Sequence, residues 1–452
     1  MTKTTLTDEL VSPIVAKLRA ENEAFSRAFP GEPVDRQPVH TVYGGAHLFR
    51  HDLPAKLGAL ARRSLDEYAP DAATFAEALR LPGDAAFART VWERVLAKLD
   101  REPVEDLRAD FEDGFGDRPD AEEDETAVRA ATEIALGVRK GTLSPFFGVR
   151  IKSLSEETRA RAVRTLDLVV TTLTSELGAI PEGFRVTLPK VAIAEHVRAL
   201  VSLLELLERG LGLAPGSLRV ELMMETPQSL VDEAGTLALR GLVTAAKGRC
   251  VGVHFGSYDY TAACNVTAAH QSMTHPSCSF ARHLMQVSLS RSGVVLSDGA
   301  TNVMPVPLHR AKAGDSLTDL ERRENRDSVH TAWRLHYHNV QDSLRRGFYQ
   351  GWDLHPAQLP ARYAAVHAFF LASVDAAAAR LKNFVERAAQ ATLVGHVFDD
   401  AATGQGLLNF FSRALGCGAL TEDEVRERTG LTQEEVRLRS FARILEQRAR
   451  RT

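Results

Sequence analysis

Eight short strand-like stretches alternate with helix-like ones between residues 39 and 355, and that alternation limits what the chain can become. The strand candidates are VHTVY (39–43), VEDLRADF (104–111), FFGVRIKSL (146–154), FRVTLPKV (184–191), SLRVELMMET (217–226), RCVGVHFGS (249–257), GVVLSDG (293–299) and FYQGWDLH (348–355). Most are separated by amphipathic segments such as EETRARAVRTLDLVVTTLTSEL and AEHVRALVSLLELLERGL, whose apolar residues recur at helix spacing. Alternating β and α units predict a parallel sheet covered by helices, and eight units predict a closed (β/α)8 TIM barrel. A doubly wound open sheet is the alternative. No Gly-x-Gly-x-x-Gly or Walker loop follows the first strand, which weakens a nucleotide-binding version of that fold.

The flanks read differently. Residues 1–36 form a polar helical extension, residues 37–365 the barrel, and residues 366–452 a helical cap. A helical insertion over 52–101 separates the first two strands. Within the cap, Thr421-x-x-Glu424 and Thr432-x-x-Glu435 have the form of capping boxes. The net charge of −4 gives no electrostatic case for nucleic acid or an anionic membrane. No signal-peptide core and no membrane-spanning run is expected. Cys250, Cys264, Cys278 and Cys417 are dispersed without a CxxC pair, which fits a reducing cytoplasm and argues against a disulfide or zinc framework.

In a (β/α)8 barrel the active site lies at the C-terminal ends of the strands. There the sequence places Asp110, Glu112 and Asp113 after strand two, Arg150 and Lys152 on strand three, and Lys190 after strand four. Glu225 ends strand five, Asp259 follows strand six, Asp298 ends strand seven, and Asp353 and His355 end strand eight. Two carboxylates on adjacent strands, Glu225 and Asp259, can hold one Mg²⁺ that keeps positions for water and a substrate oxygen. Such an ion acts as a Lewis acid and stabilises an enolate. Arg150 presents a planar fork suited to a substrate carboxylate or carbonyl. Glu112 and Asp113 would orient the metal's waters or Arg150. A bland reading stands beside each: solvated loop or N-cap for Glu112 and Asp113, a plain strand-end charge for Glu225, a turn residue for Asp259.

These motifs resemble those of the citrate lyase beta subunit and malyl-CoA lyase group, the HpcH/HpaI aldolase superfamily. DFEDGFG looks like its Asp-x-Glu-Asp segment, GVRIKSL its Arg-Val-Asn strand, and VTLPKV its Leu-Pro-Lys. ELMMETPQSL resembles the Ile-Glu-Thr strand, VHFGSYDYTAA the Phe-Gly-x-x-Asp-Leu segment, and GFYQGWDLHPAQL the closing strand with its His-Pro-x-Gln. GHVFDD in the tail looks like the family's Gly-Lys-Met-x-Asp. The likeness spans residues 100–365 and a fragment near 395–402, with the motifs in order. It implies a Mg²⁺-dependent carbon–carbon lyase or aldolase, with Mn²⁺ as an alternative ion. By carry-over, Glu225 and Asp259 are metal ligands and Arg150 is catalytic and binds substrate. Glu112 and Asp113 support the metal site, and Lys190 and His355 belong to the substrate set. Asp399 would be an acid brought by the tail to a neighbouring subunit, which implies a homo-oligomer, trimer or hexamer. VYGGAHLFRHD replaces the family's Pro-Gly loop for coenzyme A, and Lys152 stands near its Asn. The chain is therefore expected to be a divergent branch.

Two substrate classes fit: a 3-hydroxyacyl-CoA, with Arg50, Arg62 and Arg63 as candidate phosphate contacts, or a CoA-free 2-oxo acid. The alternatives are a phosphoenolpyruvate-handling phosphotransfer enzyme on the same barrel and a non-catalytic binding module.

Overall fold

The computed structural model describes residues 5–33, 36–311, 315–394, 401–438 and 440–450. Eight parallel strands close a barrel in sequence order: β1 (His40–Gly45), β2 (Asp106–Asp110), β3 (Phe146–Arg150), β4 (Phe184–Leu188), β5 (Arg219–Met224), β6 (Cys250–Phe255), β7 (Val295–Ala300) and β8 (Gln350–Asp353). Six lie inside the stretches read as strands, while β1 and β7 run past theirs, to Gly45 and Ala300. The pairing of β1 with β8 through His40–Gly351 and Val42–Asp353 closes the ring and rules out the open sheet.

Side chains alternate across each strand. The outward set, including Leu107, Ala109, Val149, Val186, Leu188, Val220, Leu222 and Val253, is apolar and wholly buried under the helices. That burial is the main drive for closure. Gly148 on β3 marks how narrow the ring is, since a Cβ there would sit 1.9 Å from the Arg185 carbonyl oxygen on β4.

The inward set is polar, unlike the branched aliphatic layers usual in such barrels. Arg108 is fully buried and binds Asp106 and Thr187, while its Nη2 donates to Glu221 at 2.9 Å. Thr41 donates to Asp106 at 2.8 Å, and Gln350 donates to Thr41 at 3.0 Å. The Trp352 indole N–H donates to His254 Nδ1 at 3.1 Å, so the hydrogen of the ring rests on Nε2, 3.1 Å from Glu221. Burial opposes charge on Glu221, but Arg108 and His254 outweigh it and hold its pKa well below the usual carboxylate range.

The helix Asp8–Ala28 buries no residue and leaves Leu10, Ile14 and Leu18 exposed. It is tied down at its end, where Arg240 donates to the Ala28 carbonyl at 2.5 Å and stacks 4.4 Å from the Phe29 ring. At the other end of the chain, one helix, Leu359–Val394, runs from the last barrel unit into the cap and passes through residue 365. Its stretch Pro356–Asn383 is long and apolar enough to cross a membrane by length and composition, against the expectation of no such run. The Ala-rich composition and buried position of that stretch give it the character of a core helix, packed between Ala85–Arg101 and Asp319–Arg345. Both expected capping boxes, at Thr421 and Thr432, are present. Among the described residues, the cap helices gather at the N-terminal ends of the strands, beside Val39, Val295 and Tyr349.

Arg108→Leu is expected to cost roughly 3–5 kcal/mol, because it leaves Asp106 and Glu221 facing each other without their shared cation. Urea unfolding of the full chain measures this, and an unchanged midpoint would refute the structural role.

Candidate active site

At the C-terminal ends of the strands the polar side chains do converge. Asp110 ends β2 and accepts backbone N–H bonds from Glu112 at 3.0 Å and Gly114 at 2.7 Å, which folds the following turn back over the strand. The same carboxylate receives the fork of Arg150 from β3, at 2.6 Å from Nε and 2.5 Å from Nη2. Arg150 Nη1 lies 2.9 Å from Glu112 and 3.8 Å from Asp113. The guanidinium rests 4.7 Å from the Tyr43 ring of β1. Burial works against its charge, but Asp110 and then Glu112 hold its pKa far above the ordinary value.

Lys190 follows Leu188-Pro189 in a left-handed backbone conformation, φ 49°, which is uncommon away from glycine. That conformation serves both ends of the residue. Its backbone N–H donates to Glu225 at 2.6 Å, while its ammonium pairs with Glu112 and lies 3.2 Å from Asp113. Glu225 is almost wholly buried at the end of β5. Gly256, after β6, lets it lie there, since a Cβ at 256 would be 2.4 Å from the Glu225 carboxylate. Burial, and then the charges of Glu112 and Asp259, push the Glu225 carboxyl up to about 8. Asp259 is exposed on the short helix Ser257–Ala263, and no hydrogen bond or ion pair among the described residues uses its carboxylate.

Six of the eight expected site residues therefore share the barrel mouth. His355 instead caps the turn Pro356–Gln358, where its Nδ1 accepts from the Ala357 N–H at 3.2 Å. Asp399 lies outside the described residues. Two further strand-end acids read as rim residues turn outward. Asp298 binds Arg282 at 2.8 Å and Ser343 at 2.5 Å. Asp353 binds His40 at 2.6 Å, His336 and Arg362. Alternation explains Asp353: Trp352 faces inward, so its neighbour cannot. Lys152 pins the β2 turn through the Phe111 and Gly116 carbonyls at 3.1 and 3.3 Å. Of the arginines considered for coenzyme A phosphates, Arg62 is already paired with Asp66 and Asp100.

Five carboxylates (Asp110, Glu112, Asp113, Glu225 and Asp259) thus face two cations, Arg150 and Lys190. Glu112 Oε2 is buried and faces Arg150 Nη1 at 2.9 Å. Hard oxygen donors, excess negative charge and a carboxyl pushed up to about 8 fit a divalent cation between Glu225 and Asp259. No group of three or more His, Cys, Asp or Glu side chains among the described residues forms a metal cage, so water and substrate would complete such a shell.

The sequence matches a family model over residues 18–444, described as Domain of unknown function (DUF6986). The chain belongs to the DUF6986 family. No curated protein matches it. Among solved structures, a citrate lyase from Burkholderia xenovorans LB400 shares the fold with a TM-score of 0.53 at 17% identity, covering 88% of this chain and 97% of its own. The CitE protein of Mycobacterium tuberculosis, solved with magnesium, acetoacetate and coenzyme A, gives a TM-score of 0.41 at 15% identity, covering 85% and 99%. Haloferax volcanii malate synthase, in its magnesium and glyoxylate complex, gives 0.42 at 16% identity, covering 89% and 97%. The resemblance drawn from the motifs thus holds at the level of fold, in the barrel this DUF6986 chain shares with citrate lyase.

The roles that motif reading missed belong to Asp110 and Tyr43. Asp110 could have been found from parity: Asp106, Arg108 and Asp110 share one face of β2, the face that looks into the barrel. Tyr43 carried no signal, because a ring beneath an arginine depends on the pairing of β1 with β2.

In EDTA, the Glu225 carboxyl keeps its proton up to about 8 in the folded chain but releases it near the ordinary value when unfolded. The folded state therefore holds the extra proton between those limits. Its stabilising effect is complete below the unfolded value and lost as pH rises through about 8. Glu225→Gln should flatten this decline and leave the variant more stable than wild type above pH 8. Thermal unfolding across pH tests it, and parallel profiles would contradict it.

Proposed function

We propose that this protein is a Mg²⁺-dependent carbon–carbon lyase or aldolase that works through an enolate, on a 3-hydroxyacyl-CoA or a 2-oxo acid. The observation that carries the reading is the convergence of Arg150, Lys190, Glu225 and Asp259, on four different strand ends, at a mouth with more carboxylates than cations. The fold shared with a citrate lyase agrees with it.

Glu225 and Asp259 would hold the ion, which when bound supplies Lewis-acid polarisation of a substrate oxygen. The chain's own groups do the rest. Asp110 occupies Nε and Nη2 of Arg150, so Nη1, which lies 2.9 Å from Glu112, would meet a substrate carbonyl or carboxylate with its second N–H. Tyr43 and the buried rim keep water from that contact and strengthen it. The Lys190 side chain is about one-third exposed, and its charge meets an incoming anionic substrate. Glu112 and Asp113 hold Lys190 and Arg150 apart and fix their directions. In cleavage, the substrate's hydroxyl would give its proton to a carboxylate at the mouth and become a carbonyl, the breaking carbon–carbon bond leaves its electron pair in the enolate, and an acid returns a proton to that carbon. Motif resemblance assigns that acid to Asp399, within a trimer or hexamer.

Proton exchange in D₂O tests the reaction class without the second substrate. With Mg²⁺, the methyl protons of acetyl-CoA or of pyruvate should exchange, and Glu225→Gln should slow exchange by at least about a hundredfold. Exchange of acetyl-CoA assigns a CoA lyase, and exchange of pyruvate alone assigns a CoA-free aldolase. Wild-type exchange unaffected by Glu225→Gln would remove the proposal's metal ligand. Phosphate release from phosphoenolpyruvate would move the site to phosphotransfer chemistry.

A further inference from the structure

A second site lies at the other end of the barrel. A cavity of about 790 Å³ opens where the strands begin, walled by the linker 30–33, by the starts of β7 and β8, and by the cap helices Leu359–Val394, Ala401–Gly416 and Phe441–Ala449. Space of that size is in the range of small-molecule pockets and far larger than ordinary packing voids.

Its charge is one-sided. Arg36, Arg291, Arg413 and Arg443 line it, against the single acid Glu32. Arg36 is engaged by Glu102 and Glu105, at 2.6 and 2.9 Å. Arg413 is shared between Glu32, at 2.8 Å, and the Tyr349 ring, 3.9 Å away. Arg291 and Arg443 have no carboxylate partner among the described residues. Two buried polar atoms on the same walls also lack partners, the Ser412 hydroxyl and Arg36 Nε. Ser412 is only 8% exposed. Buried donors are normally satisfied, and two orphans beside unpaired guanidinium groups call for an acceptor that the protein itself does not supply. Arg291 also sits in the left-handed region, φ 59°, held by the Gly31 N–H bond to its carbonyl at 3.0 Å. Phe370 and Val366 add an apolar wall.

We propose that this cavity binds a small organic polyanion, carrying carboxylate or phosphate groups on a short carbon skeleton. Arg291 and Arg443 form charge-assisted bonds to it, and Ser412 donates to it from within. The walls come from the linker, the barrel and the cap, so the occupant ties all three together from the side opposite the mouth. This inference stands independently of the reaction proposed for the mouth.

Calorimetric titration of the full chain tests it, with pyrophosphate and with citrate as separate probes, in EDTA and at ionic strength matched with sodium chloride. Arg291 and Arg443 are both exposed, so R291A/R443A should fold, which circular dichroism checks. Saturable binding at one site per chain is expected. It should weaken at least about tenfold in R291A/R443A and persist in Lys190→Ala, which removes a partly exposed cation of the mouth. Preference for citrate assigns a carboxylate ligand, and preference for pyrophosphate a phosphate. Binding that survives R291A/R443A overturns the proposal, as does the lack of saturable binding of either probe.

Discussion

Arg150 carries one positive charge and is approached by three carboxylates, and the mouth of this barrel is arranged around that imbalance. Asp110 takes the fork and, through the backbone N–H groups of Glu112 and Gly114, sets the turn that follows. The turn aims Glu112 and Asp113 at Lys190, and the Lys190 backbone in turn holds Glu225. Four consecutive strand ends are thereby linked by charge. A buried ion is costly unless paired, so each member depends on the next. The surplus of carboxylate at the end of the series is where Glu225 keeps its proton and where a divalent ion has reason to bind.

Beneath this mouth the barrel is filled by Arg108, Asp106, Glu221 and His254 in place of aliphatic layers. Such a plug is rigid only while every member is satisfied. It gives Tyr43 and Trp352, whose rings are 5.0 Å apart, a fixed floor under Arg150. The mouth and the structural interior are thus one electrostatic column. The arginine-lined cavity lies below its other end, with the cap folded around it.

Much of this was legible in the sequence for a physical reason. Strand and helix periods differ, so VTLPKV and AEHVRALVSLLELLERGL declare their states locally. Knowing the order of eight strands places Glu112, Arg150, Lys190, Glu225 and Asp259 at one rim without any long-range information. What the sequence could not show were partners chosen across strands. Nothing local tells that Asp110 takes the fork of Arg150, that Asp298 turns out to Arg282, or that Asp353 turns out to His40 and Arg362. The polar interior was hidden for the same reason, because Arg108 reads as an interruption of a strand until Asp106 and Glu221 are seen around it. The position of the cap was equally hidden. Amphipathic helices declare an apolar face, but not which end of the barrel receives it.

The account turns on whether the excess carboxylate at the mouth holds a divalent ion. Crystals grown with Mn²⁺, examined by anomalous scattering, ask this directly. The account predicts one strong peak about 2.1 Å from carboxylate oxygens of both Glu225 and Asp259, with water in the remaining positions. An empty mouth at millimolar Mn²⁺, with Lys190 still bridging Glu112 and Asp113, would contradict it.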